Sequence, residues 1–176
     1  MKRAMKPQLS LGLTAVLVGT SLAPALAAKR ASSLPGYETA EIRNTGSTNT
    51  MGYRIVVPIA GSHTGTAAIF HMNGMVTAGD PDEGNVPMPL VRKFARDLHA
   101  AMPLRQLPAG HGMKSASFGT STFITYRGQR TPDLSFPANA HAQALRDDAI
   151  AIADALHVKN TPRRPALPLP PSLPGH

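Results

Sequence analysis

Residues Lys114–Phe136, KSASFGTSTFITYRGQRTPDLSF, decide how the rest of the chain is read. Ile124 and Tyr126 alternate with polar neighbours, and Phe118 extends the same phase, so one strand is expected to turn that side inward. Phe123 falls on the other side, where it can cover a second patch. Arg127-Gly128-Gln129-Arg130 supplies a turn, and a second strand should follow it. The stretch also carries Ser115, Ser117, Thr120, Ser121, Thr122 and Thr125, which raises the question of a nucleophile. An α/β-type serine hydrolase sets its serine in G-x-S-x-G at a strand-to-helix elbow. Gly119-Thr120-Ser121-Thr122-Phe123 lacks the second glycine. Lys114-Ser115 cannot form a working Ser–Lys pair within a strand, because adjacent residues point to opposite faces. Serine and threonine on a solvated β-face account for the run.

Helical periodicity flanks this hairpin on both sides. Leu90, Val91, Phe94, Leu98, Ala101 and Met102 make one apolar face of a helix beginning near Met88 or Pro89 and stopped by Pro103. Arg92, Lys93, Arg96 and Asp97 lie outside that face. After the hairpin, Asn139 is an N-cap for a helix over Ala140–Val158, with Leu145, Ala149, Ile152, Ala153 and Leu156 inward and Asp147, Asp148 and Asp154 mostly on the other side.

Upstream, Glu38–Arg43 is a weak strand and Met51–Ile59 a stronger one, with Tyr53, Ile55 and Val57 in one phase and Pro58 at its end or at an edge. Thr66–His71 and Val76–Thr77 form a hairpin, with Asn73-Gly74 expected as the turn pair. Gly79–Pro87 reads as loop. Strands joined by short turns pair antiparallel, and two amphipathic helices need a common apolar surface. The expectation is an α+β fold: an antiparallel sheet of five or six strands with two helices on one face.

The ends read differently. Lys2, Arg3 and Lys6, an apolar run from Leu9 to Leu22, and Ala25-Leu26-Ala27 form a signal peptide over residues 1–27, cleaved before Ala28. Residues 28–36 are a flexible lead-in, 37–158 the folded domain, and 159–176 a Pro-rich disordered tail. A periplasmic or secreted bacterial protein with no integral span after cleavage is expected. Of the net charge of +8, +5 remains on the mature chain. Between Ala31 and Val158 the 10 acidic and 10 basic residues cancel, so no basic stripe for nucleic acid is present. Without cysteine, disulfides, thiolate metal sites and thiol nucleophiles are excluded, and a hydrophobic core must hold the domain.

Two ligand sets follow from composition. Asp80, Asp82, Glu83 and Asn85 offer calcium-type oxygens, but the spacing puts Gly84 at the fifth position and Val91 at the twelfth of an EF-hand loop, and a solvated turn accounts for them. His71, Met72, Met75, His111 and Met113 pair imidazoles with thioethers, the ligands that suit Cu(I). Those positions loosely resemble the histidine–methionine motif of periplasmic copper chaperones, whose all-β fold does not accommodate the helix at Pro89–Met102. His63, His99, His141 and His157 are scattered. Lys159, Pro162 and Pro165 match a polyproline-ligand spacing that a spacer tail also produces.

From Arg43 to Ile55, RNTGSTNTMGYRI, the chain resembles small exported bacterial proteins of unknown function that open with a strand, a Thr/Gly-rich turn and a second strand. The resemblance spans roughly Glu38–Val158 and implies a hairpin, a helix, two strands and a final helix. In those proteins the turn carries two cysteines. Here Ser47 and Met51 stand nearby, so no disulfide or metal role carries over.

Three functions are consistent with these features. One is a non-catalytic exported module that binds or inhibits an envelope protein or polymer, with no cofactor. Another is a hydrolase using a hydroxyl between Lys114 and Thr125, with His111 or another base. The third is a periplasmic copper binder using the five His and Met residues.

Overall fold

Four isoleucines stand side by side across the middle of the sheet. Ile69, Ile55, Ile42 and Ile124 pair in register on four adjacent strands, and all four are buried. The computed structural model describes residues 38–60, 63–115 and 119–163. Its strands are β1 (Glu38–Asn44), β2 (Gly52–Ala60), β3 (Thr66–Asn73), β4 (Val76–Thr77), β5 (Asp82–Asn85), β6 (Thr122–Tyr126) and β7 (Gln129–Arg130). The helices are α1 (Met88–Ala100) and α2 (Ala140–Ala155). Strand order is β4-β3-β2-β1-β6-β7, all antiparallel, with β5 beside β3. Both helices pack on one face of this sheet, sharing one core with the isoleucine row, Val57, Tyr126 and Leu134. The α+β architecture is the one expected.

The strand with the weakest sequence signal occupies the centre. β1 is laddered on both edges, to β2 and to β6, and Ile42 has no exposed surface. The charges that blur its alternation act sideways. Glu41 accepts a hydrogen bond from Arg54 at 3.3 Å, and Glu38 accepts from the Tyr126 hydroxyl at 2.9 Å and from Arg127 Nε at 2.5 Å. Such cross-strand pairs are the usual unit of sheet stabilisation. The Lys114–Phe136 hairpin therefore lies at the sheet edge and not at its middle. It is also shorter than expected: regular pairing begins at Thr122, and Lys114, Ser115 and Gly119–Ser121 are irregular. Its turn is Arg127-Gly128, both at positive φ, as a right-twisted two-residue hairpin requires.

Other expectations are corrected. The residues expected to form an acidic loop include β5, whose Asp82–Asn85 backbone pairs with Ile69–Thr66. Gly84 permits this, because a Cβ there would collide with the Leu156 side chain lying over the strand. The β3–β4 turn is Gly74-Met75 and not Asn73-Gly74, since Asn73 stays paired with Val76 and only Gly74 has positive φ. Pro58 lies in β2 beyond the last residue paired to β3, so the amide proton it lacks costs no rung on that side. Met72 packs with Phe70 and Val56 on the face away from the helices, where the Arg54 guanidinium lies 3.9 Å over Phe70. Phe123 is likewise covered by Arg130 at 3.9 Å.

α2 begins at Asn139, whose Oδ1 accepts from Ala142 N at 2.8 Å. It ends at Ala155, before the expected Val158. His157 takes positive φ, Val158 N donates to Ala153 O, and His157 N donates to Asp154 O, which is a Schellman closure with Val158 buried. Beyond it, part of the expected tail is held on the domain: Met51 N donates to Thr161 O at 2.7 Å, and Arg163 N to Asn49 O at 2.9 Å. The signal peptide (1–27), the lead-in (28–36), residues 164–176, Ser117 and Phe118 lie outside the described residues. Among the described residues, no helix is long and apolar enough to cross a membrane.

Asp148 was expected on the polar side of its helix and is buried instead, 1% exposed. Lys93 of α1 reaches its Oδ1 at 2.5 Å and also holds Asp97 at 2.7 Å, pinning the two helices together. Burial raises the Asp148 pKa, and Lys93 only partly opposes it. The Lys93 hydrogen bond lowers that of Asp97. Asp148 therefore adds stability in acid that is lost as pH rises through its folded pKa. Asp97 acts oppositely, its contribution being lost as pH falls. Lys93→Met should cost roughly 1–3 kcal/mol at neutral pH by leaving the Asp148 carboxylate without its cation. Urea unfolding should show that penalty shrinking as pH falls through the raised pKa of Asp148, where the carboxylate takes up its proton. A penalty independent of pH would contradict this arrangement.

Candidate functional site

One step along the strands from the isoleucine row, the residues turn polar. Tyr53, Asn44 and Thr122 pair in register on β2, β1 and β6, on the side that bears the helices. Asn44 is spent on local structure. Its Oδ1 accepts from Gly46 N at 2.9 Å and Asn160 Nδ2 at 3.1 Å, and its Nδ2 donates to Thr122 Oγ1 at 3.3 Å. This side chain joins the end of β1 to its following turn, to β6 and to the chain after α2.

Beside the row, the segment after β7 folds back along β6. Leu134 N donates to Thr122 O and Thr131 N to Ile124 O, continuing the ladder without regular strand. Asp133 sits at the centre of this return. Its Oδ1 accepts from Thr122 N at 3.2 Å and Ser135 N at 3.0 Å, and the Ser135 hydroxyl lies 2.7 Å away. Its Oδ2 makes a close ion pair with Lys114 Nζ, which also donates to Ser121 Oγ at 2.6 Å. Burial pushes the Asp133 pKa up. The Lys114 ammonium, the Ser135 amide and hydroxyl, and the Ser121 hydroxyl outweigh it and bring the value down to about 2.

A cleft of about 390 Å³ opens between this network, the polar row and α2. Tyr53, Asn44 and Thr122 come from the sheet, Lys114, Thr120, Ser135 and Phe136 from the connecting segments, and Arg146 and Ile150 from α2. Met113, 98% exposed, borders it. No histidine is among its lining residues.

Lys114 and Ser121 thus form a pair, where sequence reasoning weighed only Lys114 with Ser115 and set it aside. The two residues lie seven positions apart in the sequence, so strand alternation between neighbours does not pair them. The pair is poorly disposed for catalysis: its lysine donates to the serine oxygen and is held by a carboxylate, whereas a general base must have a lone pair free to accept the serine proton.

The soft-ligand set is spread out. His71 and Met72 occupy opposite faces of β3. His71 Nε2 lies 3.1 Å from Asp82 Oδ2, and the Met72 thioether accepts from Thr77 Oγ1 at 3.8 Å. Met75 is exposed at the hairpin tip, its Sδ 2.8 Å from Arg43 Nη2, and His111 and Met113 are exposed in the connector. Among the described residues, no three His, Cys, Asp or Glu side chains group as metal ligands, Asp80, Asp82 and Glu83 included. His99 meets the Tyr126 hydroxyl at 3.3 Å.

Sequence reasoning missed Asp133, Tyr53, Asn44 and Arg146 as site residues. For Asp133 a signal existed: Asp-Leu-Ser is an Asx-turn spacing, in which the carboxylate accepts from the amide two residues on. For the others the signal lies in sheet register, which a single strand does not disclose. Comparisons with protein-family models, with curated proteins and with solved structures find no match for the chain.

Asp133→Asn removes the ion pair and should cost roughly 1–3 kcal/mol at neutral pH. Because the folded pKa of Asp133 lies below its unfolded value, its contribution is complete above about pH 4 and lost as pH falls towards 2. Denaturant titrations of both proteins should converge over that window. Equal stability at neutral pH would show that the ion pair does not hold the loop.

Proposed function

We propose that the chain is an exported, non-catalytic binding or inhibitory module of the bacterial cell envelope, recognising its partner through the cleft beside Asp133. The observation that carries this reading is the closure of the Lys114–Ser121–Asp133–Ser135 network. Its polar groups satisfy one another and shape a wall, instead of presenting a free base to a free nucleophile. The lining mixes hydroxyls with Phe136, Met113 and Ile150, the combination of orienting polar groups and apolar surface typical of ligand sites.

A second reading is favoured by one distance. Lys114 Nζ lies 2.6 Å from Ser121 Oγ, so the pair would act as a Ser–Lys hydrolase if a substrate displaced Asp133.

A fluorophosphonate probe separates the two. The binding reading expects no covalent adduct on protein recovered from an envelope fraction, whose N-terminus should be Ala28. An adduct that maps to Ser121 and disappears in Ser121→Ala would replace this reading with the hydrolase, and recovery only from the cytoplasm with Met1 retained would remove export from it.

A further inference from the structure

Two donors facing the cleft are left over once the network is accounted for. Tyr53 is 8% exposed and lines the cavity, yet its hydroxyl has no hydrogen-bond partner among the described residues. Burial, with the Asp154 charge adding to it, raises its pKa, so the phenol stays neutral and can donate. The hydroxyl is not among the fully buried, unpartnered polar atoms of the described residues, so it stands open to water or a ligand in the cleft.

Arg146 is the second. Its helix offers no acid three or four positions away, where Gln143, Ala142, Ala149 and Ile150 stand. The adjacent Asp147 is held by Gln143 Nε2 at 2.7 Å. Arg146 makes no ion pair or hydrogen bond among the described residues and lines the same cleft as Tyr53. The other cation there, Lys114, is neutralised by Asp133. The cleft therefore presents a guanidinium and a phenol, both donors, with no acid among its described lining residues, the Asp154 charge reaching Tyr53 from outside that lining.

We propose that the cleft binds a small hydroxylated carboxylate, of the sugar-acid class, with the carboxylate on Arg146 and Tyr53. Arg146 supplies the planar fork that matches a carboxylate in two hydrogen bonds. Phe136 gives the apolar surface on which a sugar ring can lie, and the Thr120 and Ser135 hydroxyls suit its own hydroxyls. The volume of about 390 Å³ falls at the small end of ligand cavities, the size of one sugar residue and not of a long peptide.

This inference rests on the binding-module reading, and its test is chosen to fail separately. Glucuronate, glucose and acetate are titrated into the purified chain, with binding followed by calorimetry and by NMR shifts. Glucuronate should bind, and glucose and acetate should bind at least about tenfold more weakly, since each lacks half of the contacts. Arg146→Gln should weaken glucuronate by about tenfold or more, and Tyr53→Phe, which keeps the ring in the core, by a smaller factor. No saturable binding of glucuronate at millimolar concentration, equal binding of acetate, or an Arg146→Gln protein that binds unchanged would each overturn the proposal. All three results leave the fluorophosphonate test of the binding-module reading untouched.

Discussion

The register of β1 is the constraint on which the rest depends. Ile42 must lie between Ile55 and Ile124, because a slip of one residue would turn Ala40 and Ile42 to the outer face and Glu41 and Arg43 into the core. Burying two charges beneath the helices would cost far more than a seven-residue strand can offset. That one alignment sets the isoleucine row, which gives both helices their floor. It also sets the next row, in which Asn44 stands between Tyr53 and Thr122. The apolar core ends and the cleft begins within one step of the strand. A domain with no disulfide thus places its site by register alone.

Around that row, short-range polar chemistry does the shaping. Asn44 joins four segments, and Asp133 gathers Lys114, the start of β6 and Ser135. Lys93 performs a similar task on the far side of the core, where it holds the half-buried and fully buried acids of two helices. These are three separate polar centres, each uniting pieces of chain far apart in sequence. The cleft inherits its walls from two of them, so its Lys114 is answered by Asp133 while Arg146 of α2 is left open.

Much of the fold was legible because its signals are local. The helical faces built on Phe94, Leu98, Leu145 and Ile152, the Asn139 cap and the Arg127-Gly128 turn each depend on residues within a few positions. What was not legible depends on pairing. Asp82–Asn85 has the composition of a loop and becomes a strand because β3 offers it an edge. Glu38–Asn44 looks like a poor strand and becomes the central one because its charges find partners on β2 and in the β6–β7 segment. Asp148 sits where helical periodicity allows a polar residue, and only the approach of Lys93 makes its burial tolerable. The hydroxyl run drew attention to the right segment for the wrong reason. Its serines matter through Asp133, which the run does not contain, and through Lys114 reaching Ser121, seven positions on.

The binding role proposed for the cleft requires Asp133 to hold Lys114 there as a fixed cation. Titration of the Asp133 side-chain carboxyl by NMR measures that directly. A pKa of about 2 is predicted for the folded protein. A value near the ordinary aspartate pKa of about 3.9 would mean that the ion pair is not formed in solution and that the cleft lacks this fixed cation.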